Sequence, residues 1–308
     1  MRINHITNFR RRFRGSIATG AMFLILVTPT LSLSWGAGGH MMTASIAFSR
    51  LNPHARAKAM ELLAIDIEPD IPIKSRDFVN SAHWADDIKS VDAFKFLDPF
   101  HYINIPFSDD GTPLPDNLPR PENILKGLED NVRILKTSPD KKAQAQALRL
   151  IIHFVGDLHQ PLHSSTRVSQ AHPEGDLGGN LFIIKLKQPD GALKDRNLHS
   201  YWDAGIDTFP KGGPPPTYIP PPLSEIPPAV KKAKKGNSPT DPKLKLNQPL
   251  NWKLWSRESF ALAKEVAYRI EEGSEPTAAY KARATWVVRR RVAWGGYRLA
   301  ALLNSIWP

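Results

Sequence analysis

The run His153-Phe154-Val155-Gly156-Asp157-Leu158-His159-Gln160-Pro161-Leu162-His163 constrains this chain more than any other segment. It places three imidazoles and a carboxylate in an otherwise largely apolar stretch. On a helix, residues at i and i+4 stack on one face with Cβ atoms about 6 Å apart, so His153 and Asp157 can chelate a single ion. Pro161 cannot continue that helix, and the turn it forces frees His163 to reach a second ion nearby. Downstream, His199-Ser200-Tyr201-Trp202-Asp203 repeats the H-x-x-x-D spacing. For one such spacing, a buried helix with satisfied core histidines is the competing reading; two in one chain favour metal. The chain has no cysteine, and imidazole with carboxylate points to zinc in a catalytic rather than a structural site.

The amino terminus reads as an address label. Arg10, Arg11, Arg12 and Arg14 form a positive region before a mostly apolar segment from Ile17 to Leu33, and Ser32-Leu33-Ser34 offers the small residues of a cleavage site. The apolar core, Ala21 to Val27, is too short for a stable membrane anchor. The arginine run followed by Phe13 leaves both the general and the twin-arginine export routes open. Removing residues 1–34 deletes five arginines and no acids, so the net charge falls from +11 to +6. Without disulfides, an exported chain depends on its core and on metals for stability. With no N-x-S/T sequon either, secretion or a bacterial periplasm is the expected location, in an unanchored, monomeric form.

Cleavage after Ser34 makes Trp35 the first mature residue, in Trp35-Gly36-Ala37-Gly38-Gly39-His40. A free α-amino group titrates near pH ~8 and is a good ligand once deprotonated. The glycines let the backbone fold back, so that the Trp35 terminus and His40 could grip one ion. Two further segments carry candidate donors: Asp86 within His83-Trp84-Ala85-Asp86-Asp87-Ile88-Lys89, and His101 within Phe100-His101-Tyr102-Ile103-Asn104.

Taken in order, W-G-x-x-G-H, W-A-D, H-[YF]-[IV]-[DN], H-F-x-G-D-x-x-Q-P-L-H, G-G-N and N-L-H-x-x-W-D resemble the zinc-dependent single-strand nuclease family, the S1/P1 type of fungi, plants and bacteria. The match runs across residues 35–203, and Arg298 to Asn304 also fits the family's last helix. The resemblance implies three Zn2+ ions. One would take Asp86, His101, His153 and Asp157. A second would take the Trp35 amine and carbonyl, His40 and Asp157, whose carboxylate bridges the two. The third would take His163, His199 and Asp203. Three dications against three aspartates leave a net positive site, suited to a phosphodiester. An ion pair roughly 3.5–4 Å apart can ionise water near neutral pH, with a third ion stabilising the departing 3′-oxygen.

Asp86, Lys89 and Asp157 are thus the expected catalytic residues. Lys89 stands where the family carries a cation that offsets phosphate charge. Tyr102 can stack a base, Asn104 offers an amide to a base edge, and Asn180 either orients a phosphate or is only a turn residue. The implied activity is endonuclease and 3′-nucleotidase action on single-stranded DNA and RNA, giving 5′-phosphorylated products. Zinc phospholipase C is the alternative. The short W-x-x-x-x-H spacing and the terminal Asp203, where that lipase uses Glu, disfavour it. A non-enzymatic binder has no need of an open metal set. Among the remaining histidines, His54 and His172 read as exposed or loop residues, His159 lies off the His153/Asp157 face, and His83 reads as partly buried.

Apolar residues at three- and four-residue spacing predict helices over His40–Leu51, Pro53–Leu63, Phe78–Ile88, Pro121–Thr137, Asp140–Leu158, Leu250–Glu272 and Thr277–Ile306. Asn180 to Lys187 reads as a strand followed by a turn. The expected fold is therefore all-α, a single mainly helical nuclease domain of about 274 residues (35–308) with a small β-hairpin. Residues 209–250, dense in proline and containing Lys231-Lys232-Ala233-Lys234-Lys235, read as an extended or disordered surface insertion. Such a basic arm could draw in a polyanion, or could be a solvated linker.

Overall fold

Side-chain caps set where several helices begin. The computed structural model describes residues 35–67, 76–213 and 219–308, and the expected leader, residues 1–34, lies outside them. Asn52 accepts from Ala55 N at 2.7 Å, with Pro53 at the first helical position. Asn123, Asp140 and Thr277 accept in the same way from Leu125, Lys142 and Tyr280. Each bond satisfies a donor that the first helical turn leaves unpaired. In chain order the helices are α1 (Ala37–Phe48), α2 (Pro53–Leu63), α3 (Trp84–Asp87), α4 (Ile124–Thr137) and α5 (Lys141–Leu158), then α6 (Leu198–Asp203), α7 (Ile226–Lys234), α8 (Trp252–Leu262) and α9 (Ala278–Ile306). The described residues add two small sheets. In one, β1 (Pro106–Ser108) pairs in parallel with β2 (Thr166–Val168); in the other, β3 (Ile183–Lys187) and β4 (Leu193–Asn197) form an antiparallel hairpin with Ile183 opposite Asn197.

Helix α5 runs through the interior. Leu148, Ile151, Ile152, Phe154 and Val155 are each at most 1% exposed, so from Ala147 onward the helix is covered on every side. At about 2 kcal/mol per large side chain, this burial fixes α5 as the axis of the fold. Helices α1, α2, α4 and α9 pack around it. Helix α9 spans two apolar clusters, with Leu299 and Leu303 in one and Val287, Val292 and Trp294 in the other. Its Gly296 lies where a Cβ would stand 2.6 Å from Ile46 Cβ and 2.8 Å from Thr43 O. That close crossing of α9 and α1 holds the helix that carries His40.

The mainly helical fold with a small hairpin agrees with the periodicity, but three segments differ. The expected helix over Phe78–Ile88 is broken into a tight turn at Asn80–His83, the single turn α3, and another tight turn at Ile88–Ser90. Asp77 Oδ1 accepts from both Val79 N and Asn80 N, which holds the chain in a turn before a helix can propagate. The expected helix over Leu250–Glu272 ends earlier, passing from α8 into a π-helical turn at Ala263–Ala267. Between 219 and 250 the chain is not extended. It forms α7, which buries Ile226 and Ala233 against α1 and α9, while Leu244 is also fully buried. The proline spacing hides this amphipathic helix, since Pro227 and Pro228 sit in its first turn, where proline is tolerated.

One buried ion network ties these pieces together. Glu258 of α8 accepts from Arg298 at 2.6 and 2.8 Å, in a two-pronged pair, and from Arg291 at 2.9 Å. Arg298 Nε also donates to Leu244 O and Arg291 Nε to His159 O. Burial pushes the Glu258 carboxyl upward, but the two guanidiniums outweigh it and hold its pKa below the usual 4.5. Its contribution to stability is therefore present above the unfolded pKa and lost as pH falls through the lower folded value. Glu258→Gln is expected to lower unfolding free energy at neutral pH by about 2–4 kcal/mol and to weaken the acid dependence below pH ~4.5. Urea midpoints measured at both pH values check this; an unchanged midpoint at neutral pH would refute it.

Candidate metal centre

Three groups of donors converge at the carboxyl end of α5, each with its ligand atoms within 4.8 Å of one another: His40, His153 and Asp157; Asp86, His101 and His153; and His163, His199 and Asp203. Helical spacing brings His153 Nε2 to 3.1 Å from Asp157 Oδ2 within α5. The same spacing brings His199 Nε2 to 3.4 Å from Asp203 Oδ2 within α6. The break after α5 carries His163 round a tight turn at Pro161–Ser164, so that His163 Nε2 lies 3.1 Å from His199 Nε2. Asp86 rides on α3 and His101 ends an irregular helical stretch over Asp92–His101. His40 stacks on His153 with ring centroids 3.9 Å apart.

Asp157 sits between these groups. Its Oδ2 is 3.0 Å from His101 Nδ1, while Oδ1 is 3.2 Å from His40 Nε2 and 3.7 Å from His163 Nδ1. The carboxylate is wholly buried. Asp157 Oδ1 and Asp203 Oδ2 accept no hydrogen bond from any described residue. Leaving such oxygens bare costs several kcal/mol in an apolar interior unless a cation compensates.

Backbone carbonyls orient the rings. His153 Nδ1 contacts Ala82 O, His163 Nδ1 contacts His101 O and His199 Nδ1 contacts Gly178 O, each at 2.7 Å. A carbonyl only accepts, so each Nδ1 carries the proton and each Nε2 turns its lone pair inward. Two facing lone pairs, as between His163 and His199, are stable only with a shared proton or a metal ion between them. The donor set fits a dication in its place, with neutral imidazole and ionised carboxylate supplying the ligands.

The electrostatics favour the neutral imidazole at His40, His101 and His199. Burial, then His153, lowers the pKa of His40 to about 4. Burial, then Lys89, lowers that of His101 to about 3. Burial also pulls His153 and His163 down, but Asp157 with Asp86 or Asp203 outweighs it, and both end raised. Burial dominates at His199, which is lowered. For Asp157, burial would raise the carboxyl, yet His153 and His163 hold it well below the usual range. Asp86 is likewise lowered, with Lys89 and His153 overcoming burial.

The remaining sequence candidates fall around this cluster. Trp35 is fully buried, with its ring 5.3 Å from that of Phe209, and Gly36 N donates to Asp203 O at 2.9 Å, so the expected mature terminus lies beside α6. Lys89 is mostly buried, with Nζ 2.6 Å from Asp86 Oδ1. Its proton is held the more tightly because Asp86 and Asp157 outweigh burial. Tyr102 follows His101 and is 40% exposed, leaving a ring face open to a ligand. Asn104 is half-buried. Asn180 donates from Nδ2 to Leu177 O, and so serves the turn before β3. A cavity of about 160 Å³ lined by Gly36, Asp86, Gly212 and Ile219 opens beside Asp86.

Of the histidines set aside, His54 is exposed and His172 is half-buried 3.7 Å from Glu272. His159 is bound to Val155 O and Arg298, away from the donors. His83 is buried against Asp87 at 2.7 Å. Sequence reasoning missed Gln160. It is fully buried, donates to Asp203 Oδ1 at 2.7 Å and accepts from Leu162 N, linking the exit of α5 to α6. The available signal was an amide in an apolar run immediately before a proline.

Comparison with known proteins agrees with this geometry. A family model described as S1/P1 Nuclease matches residues 35–308. The chain is 25% identical over 296 residues to Endonuclease 5 of Arabidopsis thaliana, covering 90% of this chain and 91% of that protein. It is 27% identical over 191 residues to Nuclease S1 of Aspergillus oryzae, covering 61% of this chain and 60% of the relative. It is 28% identical over 176 residues to Nuclease P1 of Penicillium citrinum, covering 55% and 57%. The extent of the family match, which takes in all three donor groups, makes this chain a phosphodiester-cleaving hydrolase of the S1/P1 nuclease family.

Proposed function

We propose that this protein is an exported endonuclease and 3′-nucleotidase acting on single-stranded DNA and RNA with three zinc ions. It would break the 3′-O–P bond and leave 5′-phosphorylated products. The observation that carries the reading is the facing pair of imidazole Nε2 atoms, 3.1 Å apart beside Asp203, next to a second buried set built on Asp157. Asp86, His101, His153 and Asp157 would hold one ion, and the Trp35 amine and carbonyl with His40 and Asp157 a second. His163, His199 and Asp203 would hold the third. Bound zinc supplies Lewis acidity, polarising a phosphoryl oxygen and making water acidic near neutral pH.

The chain's own residues supply the rest. Asp157 directs one oxygen to each side, and so links the His40 and His101 groups electrostatically. Lys89, whose charge is secured by Asp86, offsets negative charge building on the phosphate. Tyr102 offers a stacking face that accepts any base, and Asn104 offers both a donor and an acceptor to its edge. Asn180 shapes the loop from which Gly178 orients His199. Net hydrolysis adds the hydroxyl of water to phosphorus, and its proton ends on the departing 3′-oxygen. Residues 1–34 would be a cleaved export signal and residues 35–308 the nuclease domain, acting as an unanchored monomer.

Metal analysis of the processed protein is expected to give about three zincs per chain, with single-stranded oligonucleotides cut to 5′-phosphate ends. Turnover of phosphatidylcholine without oligonucleotide cleavage would overturn the reading. Retaining one residue before Trp35 converts the amine to an amide, and is expected to lower kcat/KM at least about 10-fold; full activity would remove the terminus from the ligand set. Gly156 gives an independent check, because a Cβ there would stand 2.6 Å from His40 Nδ1. Gly156→Ala is expected to displace that ring, with loss of bound zinc and about a 100-fold fall in kcat/KM. Undiminished zinc content and rate in this variant would detach His40 from the site.

A further inference from the structure

Away from the donor clusters, α9 presents a large aromatic ring to solvent. Trp286 is 48% exposed. The guanidinium carbons of Arg283 and Arg290 lie 5.8 and 5.1 Å from its ring centroid. The indole forms a ridge between two cavities. One, of about 340 Å³, is lined by Lys232, Lys235, Lys281 and Arg289. The other, of about 480 Å³, is lined by Lys243, Lys245, Arg283 and Arg290, with Trp294 also in its wall.

Nearby acids do little to offset these eight cations. Glu258 is committed to Arg291 and Arg298. Asp241 lies 3.5 Å from Arg290 alone among them. The basic surface also leads back toward the metal centre. Lys232 and Arg289 line a third depression together with Glu225, Phe209 and Pro210, and Phe209 packs on Trp35.

An exposed aromatic ring flanked by cations is the chemistry that holds a single-stranded polynucleotide, since bases stack on the ring while the backbone follows the charge. A membrane surface requires several apolar side chains to insert. Among the residues lining these two cavities, Trp286 is the only large hydrophobic side chain more than a third exposed. We infer that Trp286 and its flanking lysines and arginines form an auxiliary strand-binding site. It holds single-stranded nucleic acid beyond the bond being cleaved, an inference that rests on the nuclease reading. Long strands then bind at both places, while a dinucleotide reaches only the metal centre.

The test measures binding of a labelled phosphorothioate (dT)20, which keeps charge and bases while slowing hydrolysis, to the zinc-loaded protein. Trp286→Ala is expected to raise Kd about 10-fold, with Trp286→Phe retaining most of the affinity. Lys281→Gln with Arg289→Gln is expected to flatten the salt dependence of binding. The kcat/KM for a dinucleotide is expected to stay unchanged in all three variants, with KM for an unmodified 20-mer raised in Trp286→Ala. Equal strand binding by Trp286→Ala and wild type would overturn the site. So would an equal loss on dinucleotide and 20-mer together with a lowered Tm, which marks a purely structural role. Trp286-dependent binding to anionic phospholipid vesicles with no strand binding would also overturn it. If the wild type cut neither substrate, the nuclease reading would fail, and the binding assay would still decide the strand site.

Discussion

Asp157 is an ionised carboxylate with no exposed surface, and the interior of this protein is organised around keeping that charge stable. Its place in the last turn of α5 makes the problem harder, because the carboxyl end of a helix carries partial negative charge. An isolated carboxylate at such a point would take up a proton or unfold the helix. Four imidazoles answer it instead, from His40, His101, His153 and His163. Those rings need a cation in turn, since protonating all of them in so dry a space would trade one buried charge for several. A set of dications, as proposed, would resolve both demands at once, so stability and proposed chemistry converge on one residue.

The scaffold is rigid where the donors require it. Carbonyls from three separate turns, at Ala82, His101 and Gly178, fix the rings of His153, His163 and His199. Absence of a side chain matters as much. Gly156 leaves room for the His40 ring against α5, and Gly296 lets α9 press α1 into place. Gln160 then joins the two H-x-x-x-D helices by donating to Asp203. These contacts hold the directions of the donor groups while leaving the Nε2 atoms of His153, His163 and His199 facing inward.

Charge is distributed unevenly over the molecule. Asp86, Asp157 and Asp203 meet in the interior, whereas lysines and arginines line the outer face of α7 and α9. For a polyanionic substrate, such a face raises the local concentration of the strand before any specific contact forms. The same face supplies stability from beneath, because Glu258 binds Arg291 and Arg298 where α8 and α9 meet. The α9 helix thereby serves the core on one side and offers the proposed strand surface on the other.

Much of the donor set was legible because its chemistry is local. His153 with Asp157 and His199 with Asp203 are pairs that the helical repeat alone brings together, and Pro161 marks the exit that frees His163. Residue type decided the rest of that reading, since imidazole and carboxylate without thiol exclude most other metal sites. What the chain's pattern could not decide was long-range. The approach of His40 to Gly156, the aim of Asp86 and His101 through tight turns, and the pairing of Lys89 with Asp86 all depend on packing between distant segments. The folding of residues 219–250 belongs to the same class. Its prolines read as extended chain until Ile226 and Ala233 find an apolar surface to bury against. Periodicity reports the face a residue shares with its near neighbours; only the collapsed core determines which distant groups that face meets.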